Sequence, residues 1–241
     1  MDFSALQTKL PAPMPALRQL LAAHGHLLVL DAASTVVQTG VLTTAGQTAW
    51  KRQEGEAGTT LFTCAEAVLA QAGLPLDQIG AFVYCEGPGS MLGVRTAALS
   101  LRTWNVLKPR PVFAYQSLAV AARAEWQRAP RAFTMIADAR RDTWHALAVA
   151  VDGRTGTLQR TATADLPAEE LVTPEKFRAW SQLARPVRPC GYDLGGIMAG
   201  LLDGDFFRPV AEPDAFQHEA PEYKKWSAQV HRAATAPHHA R

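Results

Sequence analysis

The chain has 241 residues, 48% hydrophobic and 19% charged, which gives it enough apolar mass for a sizeable core and excludes a disordered protein. Its net charge of +2 at pH 7 is too mild to mark a nucleic-acid binder, which needs basic residues gathered on one face. Cys64, Cys85 and Cys190 are odd in number and far apart, with no C-x-x-C, so they specify neither a disulfide framework nor a zinc site and read as buried free thiols in a reducing cytoplasm.

Residues 1–25 read as an N-terminal extension with three prolines and a short helix, on which Leu17, Leu20 and Leu21 share one face. No signal peptide or membrane span fits them. His26–Asp31 is a buried strand ending in an acid, followed by strands at 35–43 and 47–53, with turn-like Ala33-Ser34 and Ala45-Gly46 between. That is an antiparallel meander. A helix follows at 59–72, with Leu61, Ala65, Val68, Leu69 and Ala72 on one face and Gly73 as its terminal glycine. Next come a strand at 81–84, a helix at Met91–Leu107, a strand at 111–114, a helix at Ser117–Arg128 and an apolar strand at Phe133–Asp138, again ending in an acid. Residues 143–151 pair with that strand and open a second lobe. The expected organisation is a first lobe at 26–130, a reduced second lobe at 131–232 and a flexible tail at 233–241, which carries His238 and His239.

Between the strand at 81–84 and the long helix lies the turn Glu86-Gly87-Pro88-Gly89-Ser90-Met91-Leu92-Gly93-Val94-Arg95. Ser90 is placed to cap the free N–H groups of the helix. The spacing of Gly87, Gly89 and Gly93 is neither G-x-G-x-x-G nor a P-loop, no lysine follows, and Ser90 lacks the flanking glycines of a nucleophile elbow. What remains is a structural turn or a close contact, in which Gly89 and Gly93 let another element approach the helix start. The helix itself carries apolar residues around its whole circumference, so both sides need cover, from this chain or from another subunit.

Three strands followed by alternating helices and strands is the order of one lobe of the actin, Hsp70 and sugar-kinase superfamily. Asp31 with Ala33 and Ser34 then reads either as a strand-end cap or as a remnant phosphate site. Asp138, Arg140 and Arg141 read either as a charged corner of the interlobe cleft or as a solvated hairpin.

The Glu86–Arg95 segment closely resembles the G-P-G-S-F-T-G-L-R signature of the TsaB (YeaZ) family. Leu28-Val29-Leu30-Asp31, Tyr115-Gln116-Ser117-Leu118, Asp138-Ala139-Arg140-Arg141 and Pro221-Glu222-Tyr223 match further family motifs in order. The family's Phe-Thr is Met91-Leu92 here, and its Gly-Glu-Val-Tyr after D-A-R is replaced from Asp142 onward. The resemblance implies an α/β, actin-like (ribonuclease H-like) fold of two lobes with the second reduced, in a cytoplasmic protein that is not itself a catalyst and has no cofactor or metal of its own. It implies pairing with a TsaD-like catalytic subunit and a TsaE-like ATPase, with ATP and Mg²⁺ used in the complex, in threonylcarbamoyl transfer to the adenosine beside the tRNA anticodon. A homodimer is expected when those partners are absent. Carried over by position, the interface consists of Leu61, Ala65, Val68, Leu69, Met91, Leu92, Arg95, Ala98 and Leu99, beside the signature turn of Gly87, Pro88, Gly89, Ser90 and Gly93. A remnant nucleotide site would take Asp31, Ser34, Asp138 and Arg140.

Two other functions stand against this one. A weak ATPase would need glycine-rich loops in the second lobe, where only Asp152-Gly153 and Gly195-Gly196 occur, at expected turns. A metallopeptidase would need an H-E-x-x-H or paired helical histidines, which the seven histidines do not form. The tryptophans at 104, 126, 144, 180 and 226 are scattered singly, with no aromatic and basic stripe for stacking bases. Contact with tRNA is therefore expected only through the complex.

Overall fold

A computed structural model describes residues 14–46 and 48–216; the P-x-Y at 221–223, Trp226 and the tail lie outside the described residues. Helix α1 (Leu17–His24) leads into a meander of β1 (His26–Asp31), β2 (Val36–Thr43) and β3 (Thr48–Glu54). After it come α2 (Ala57–Ala72), β4 (Ala81–Gly87), α3 (Met91–Leu107), β5 (Val112–Gln116) and α4 (Ser117–Arg128). The second half holds β6 (Phe133–Asp138), β7 (Thr143–Val149), β8 (Gln159–Ala162), β9 (Leu171–Pro174), β10 (Arg188–Cys190), α5 (Leu194–Gly200) and β11 (Arg208–Val210).

The first sheet runs β11-β5-β4-β1-β2-β3 and the second β10-β9-β6-β7-β8. In the first, β1 pairs antiparallel with β2 and parallel with β4, and β4 pairs parallel with β5. An antiparallel meander whose first strand continues into parallel partners is the actin-like, ribonuclease H-like arrangement. The last strand, β11, returns from the second half to lie antiparallel beside β5.

Strand alternation divides the side chains between two layers. Leu28 and Leu30 of β1 and Phe82 and Tyr84 of β4 face α2 and α3, together with Leu61, Val68, Ala97 and Leu101. Leu27 and Val29 point the other way, into a core that also takes in α4 (Leu118, Ala121, Ala122), the second sheet (Phe133, Met135, Leu147, Val172) and α5 (Leu194, Met198). Helix α4 therefore lies between the sheets, and the two lobes share one core. Leu17 and Leu20 of α1 are buried in that core as well. The outer face of the second sheet carries Ile136, Trp144, Ala146 and Leu171, closed by Leu166, Leu183 and Val187 from the connecting segments.

Candidate functional site

The parity that sends Leu27 and Val29 inward sends Asp31 the same way. Its carboxylate is fully buried. One oxygen accepts the Ala33 N–H at 2.8 Å; the other accepts the hydroxyls of Tyr115 and Tyr192, each at 2.7 Å. Burial raises the carboxyl above its ordinary range, opposed by those three donors and by the Cys85 thiol. Burial likewise pushes the Cys85 thiol and both tyrosine hydroxyls well up, with the Asp31 charge acting in the same direction. Tyr192 comes from the segment between β10 and α5, so this cluster ties the second lobe to the first. Gln38 of β2 adds to the tie by donating to the Tyr192 carbonyl and accepting the Leu194 N–H. As placed, Asp31 has no surface to offer a metal or phosphate. Ser34 is engaged locally, its hydroxyl bonded to both the N–H and the carbonyl of Val36.

The signature turn closes over the same place. The Gly87–Pro88 peptide is cis, Ser117 donates to the Pro88 carbonyl at 2.5 Å, and Ser90 caps α3 by accepting the Gly93 N–H at 3.3 Å. The Ser90 N–H donates to the Ala33 carbonyl at 2.7 Å. A Cβ at Gly89 would sit 2.3 Å from that carbonyl oxygen, and one at Gly93 would sit 2.0 Å from the Ala32 oxygen. The element that Gly89 and Gly93 admit is therefore this chain's own β1–β2 turn and not another subunit. Carbonyl oxygens cover the start of α3, where a phosphate would need N–H donors. Substituting Gly93→Ala should cost about 2–3 kcal/mol in a chemical denaturation, because backbone on both sides would have to shift; an unchanged midpoint would mean the two turns are loosely apposed.

Helix α3 is not covered on every side. Gly93, Val94, Ala97, Ala98 and Leu101 are buried, whereas Leu92, Leu99, Val106 and Leu107 are 66%, 64%, 84% and 81% exposed. Of the nine predicted interface residues, Leu61, Ala65, Val68 and Ala98 are buried in the chain's own packing and Leu69 is half-buried against it. Met91, Leu92, Arg95 and Leu99 stand outward. The reason is helical phase: at 100° per residue, 61, 65 and 68 point at the sheet, as does 98, while 92, 99 and 106 fall on the opposite side. Phe62 of α2 and Val106 are also exposed apolar residues, and neither is among the interface residues predicted from the sequence. Phe62 meets the half-buried Trp104 edge-on, with ring centroids 6.2 Å apart, which packs α2 against α3.

Asp138 and Arg140 lie apart from this turn. The Asp138 carboxylate accepts the backbone N–H groups of Arg140, Trp180 and Ser181 at 2.5, 2.7 and 2.5 Å. Burial alone would raise this carboxyl; the three backbone donors outweigh it and hold the group below its usual range. Across its outer side the Arg140 guanidinium stacks on Trp180, 4.5 Å from the ring centroid. Trp180 carried no signal in the sequence because its partners lie some forty positions upstream. Asp31 and Ser34 on one side and Asp138 and Arg140 on the other are thus each engaged within the chain. Among the described residues no group of three or more His, Cys, Asp and Glu is placed to hold a metal ion, and no helix is long and apolar enough to cross a membrane.

Comparison with known proteins places this architecture. No curated protein matches the chain in sequence. The structure of YeaZ from Pseudomonas aeruginosa is similar, with a TM-score of 0.57 at 19% identity over 74% of this chain and 90% of that one. A second Pseudomonas aeruginosa structure, of a protein similar to peptidase YEAZ, has the same TM-score and identity over 73% and 89%. At that identity the likeness is one of fold. Residues 58–187 match the family TsaD, tRNA N6-adenosine threonylcarbamoyltransferase, a span that holds α2, the signature turn, α3 and most of the second sheet. With more than half of its length matching in this way, the chain belongs to the TsaD family, and it has the two-lobed YeaZ form of the actin-like fold.

Proposed function

We propose that this chain is a non-catalytic, TsaB-like subunit that lays the open face of α3 against a TsaD-like catalytic partner and so supports threonylcarbamoyl transfer to the adenosine beside the tRNA anticodon. The observation that carries this reading is the stripe Leu92, Leu99 and Val106, exposed at every seventh residue along α3. Such a seam spans about 21 Å and suits a second helix crossing it at a shallow angle. Thr96 and Thr103 flank it with hydroxyls turned back onto the carbonyls of Leu92 and Leu99, which leaves their methyl groups toward a partner.

The non-catalytic role is supported by the inward Asp31 and by the carbonyl-covered start of α3. Nucleotide and Mg²⁺ are then the business of a TsaE-like ATPase in the assembly, in the cytoplasm, and the same face pairs with a second copy when the catalytic partner is absent. Co-expression with the TsaD of the same cell tests the proposal. The expected result is a complex that survives size-exclusion chromatography and raises threonylcarbamoyl transfer over TsaD alone. A chain that stays monomeric beside TsaD and leaves the transfer rate unchanged would refute it.

A further inference from the structure

We propose that the cavity where β5, β11 and the start of α4 meet binds a free α-amino acid with an apolar side chain, its ammonium group on Glu86 and its carboxylate on Arg208. The cavity measures about 170 Å³; Met14, Ala119 and Phe206 give it apolar walls, and Glu86, Gln116 and Arg208 line its polar end. A cavity of about 150 Å³ takes a benzene ring. This one therefore has room for a branched or aromatic side chain and is too small for a nucleotide.

Glu86 owes its direction to a bulge. Cys85 pairs with Tyr115 and Gly87 with Gln116, so Glu86 has no opposite residue on β5, and a bulged residue leaves the alternation of its strand. Its backbone is held there, because its carbonyl accepts the Phe216 N–H at 2.7 Å. The Glu86 side chain is 6% exposed, whereas that of Arg208 is 52% exposed. Arg208 donates to Glu86 Oε2 at 2.5 Å, and Oε1 has no partner among the described residues. Glu125, also buried, spends both of its oxygens on a guanidinium, as a carboxylate serving only to join two elements would. A buried oxygen left unmatched costs stability until a donor reaches it. The Gln116 side-chain amide likewise makes no hydrogen bond among the described residues.

Charge selects the ligand. Among the described residues lining the cavity, Glu86 is the one acid and Arg208 the one base, so its polar end is neutral in sum but divided into a negative and a positive group side by side. An amine alone would leave the guanidinium unmatched, and a carboxylate alone would meet the charge of Glu86. An α-amino acid carries both groups on one carbon. Its ammonium would donate to Glu86 Oε1, and its carboxylate would accept N–H groups that the half-exposed Arg208 does not spend on Glu86. The side chain would then leave water for Met14, Ala119 and Phe206, which favours a leucine-sized group over hydrogen by at least about 10-fold. None of these residues belongs to the outward stripe of α3, so the site does not rest on the partner proposed above.

The test is isothermal titration of the purified full chain with leucine, beside three analogues that each lack one feature: 3-methylbutylamine without the carboxylate, 4-methylpentanoate without the ammonium group, and glycine without the side chain. The expected results are a dissociation constant for leucine of about 1 mM or tighter and binding at least about 10-fold weaker for every analogue. Ala119→Leu, which fills the cavity from α4, should abolish leucine binding with the thermal midpoint nearly unchanged. No heat from leucine, or Ala119→Leu binding it like wild type, would overturn the site. Equal affinity for the amine or the carboxylate would overturn the zwitterion as its ligand. Leu99→Arg, on the separate α3 face, should bind leucine like wild type. The amino-acid site and the partner face can therefore fail independently.

Discussion

Replacing Leu99 by Arg should weaken binding to the proposed TsaD-like partner at least about 100-fold, close to 3 kcal/mol, while the chain's own thermal midpoint moves by no more than about 2 °C. The asymmetry follows from position. Leu99 lies at the middle of the stripe between Leu92 and Val106 and is 64% exposed, so in the free chain the new guanidinium stays in water, and arginine is a good helix former. Docked, the same charge would be desolvated against an apolar partner surface with no acid designed to meet it. Arg95 already stands on that side, so the added charge would also meet a like one. Ala98→Arg, one residue away, would not serve as an interface test. Ala98 is buried in the layer between α3 and the sheet, and an arginine there would unfold the chain. Isothermal titration against TsaD together with a thermal melt separates the two cases. Unchanged affinity for Leu99→Arg would show that the partner docks elsewhere.

That distinction was only half legible in the sequence. The period of 3.6 identified α3 and the residues along it, but a helix rich in apolar residues on all sides gives no phase, and it was the packing of Ala97, Ala98 and Leu101 onto β1 and β4 that fixed which side faces in. The β1–β2–β3 meander and the strands ending in Asp31 and Asp138 could be read from alternation and turn residues. The inward direction of Asp31 follows from strand parity once Leu27 and Val29 are known to face the α4 side. Its partner Tyr192 lies 161 positions away, beyond any local pattern. Beyond Val149 the strands shorten to three or four residues, too short for a period of two to register. The same distance in sequence hid the stack of Arg140 on Trp180. Gly89 and Gly93 were legible as sites of close approach, but not the identity of what approaches.

Glu125→Ala should cost about 3 kcal/mol in urea denaturation, the largest loss expected from a single polar side chain here. Glu125 stands in the last turn of α4, where a carboxylate opposes the helix dipole, and its side chain is buried. It is stabilised because three guanidiniums converge on it: Arg128 at 2.8 Å, Arg131 at 2.7 Å and Arg188 at 2.6 Å. Glu170, just before β9, takes the other edges of Arg131 and Arg188 at 2.7 and 2.6 Å. Two acids thus hold three cations, and the network ties α4 to the start of β6 and to β10 at the rim of the second sheet. Removing Glu125 leaves three arginines around one exposed acid, though their access to water keeps the cost at the low end for a broken buried pair. Burial alone would raise the Glu125 carboxyl, but hydrogen bonds from Arg128, Arg131 and Arg188 hold it at about 2. The folded value lies below the unfolded one of roughly 4.3, so this stability is fully present above about pH 5 and is lost as pH falls from there toward 2. Urea midpoints of wild type and Glu125→Gln should therefore differ most at neutral pH, draw together below about pH 5 and converge only toward pH 2. A gap that held constant across that range would mean that Glu125 acts through its shape and hydrogen bonds rather than its charge.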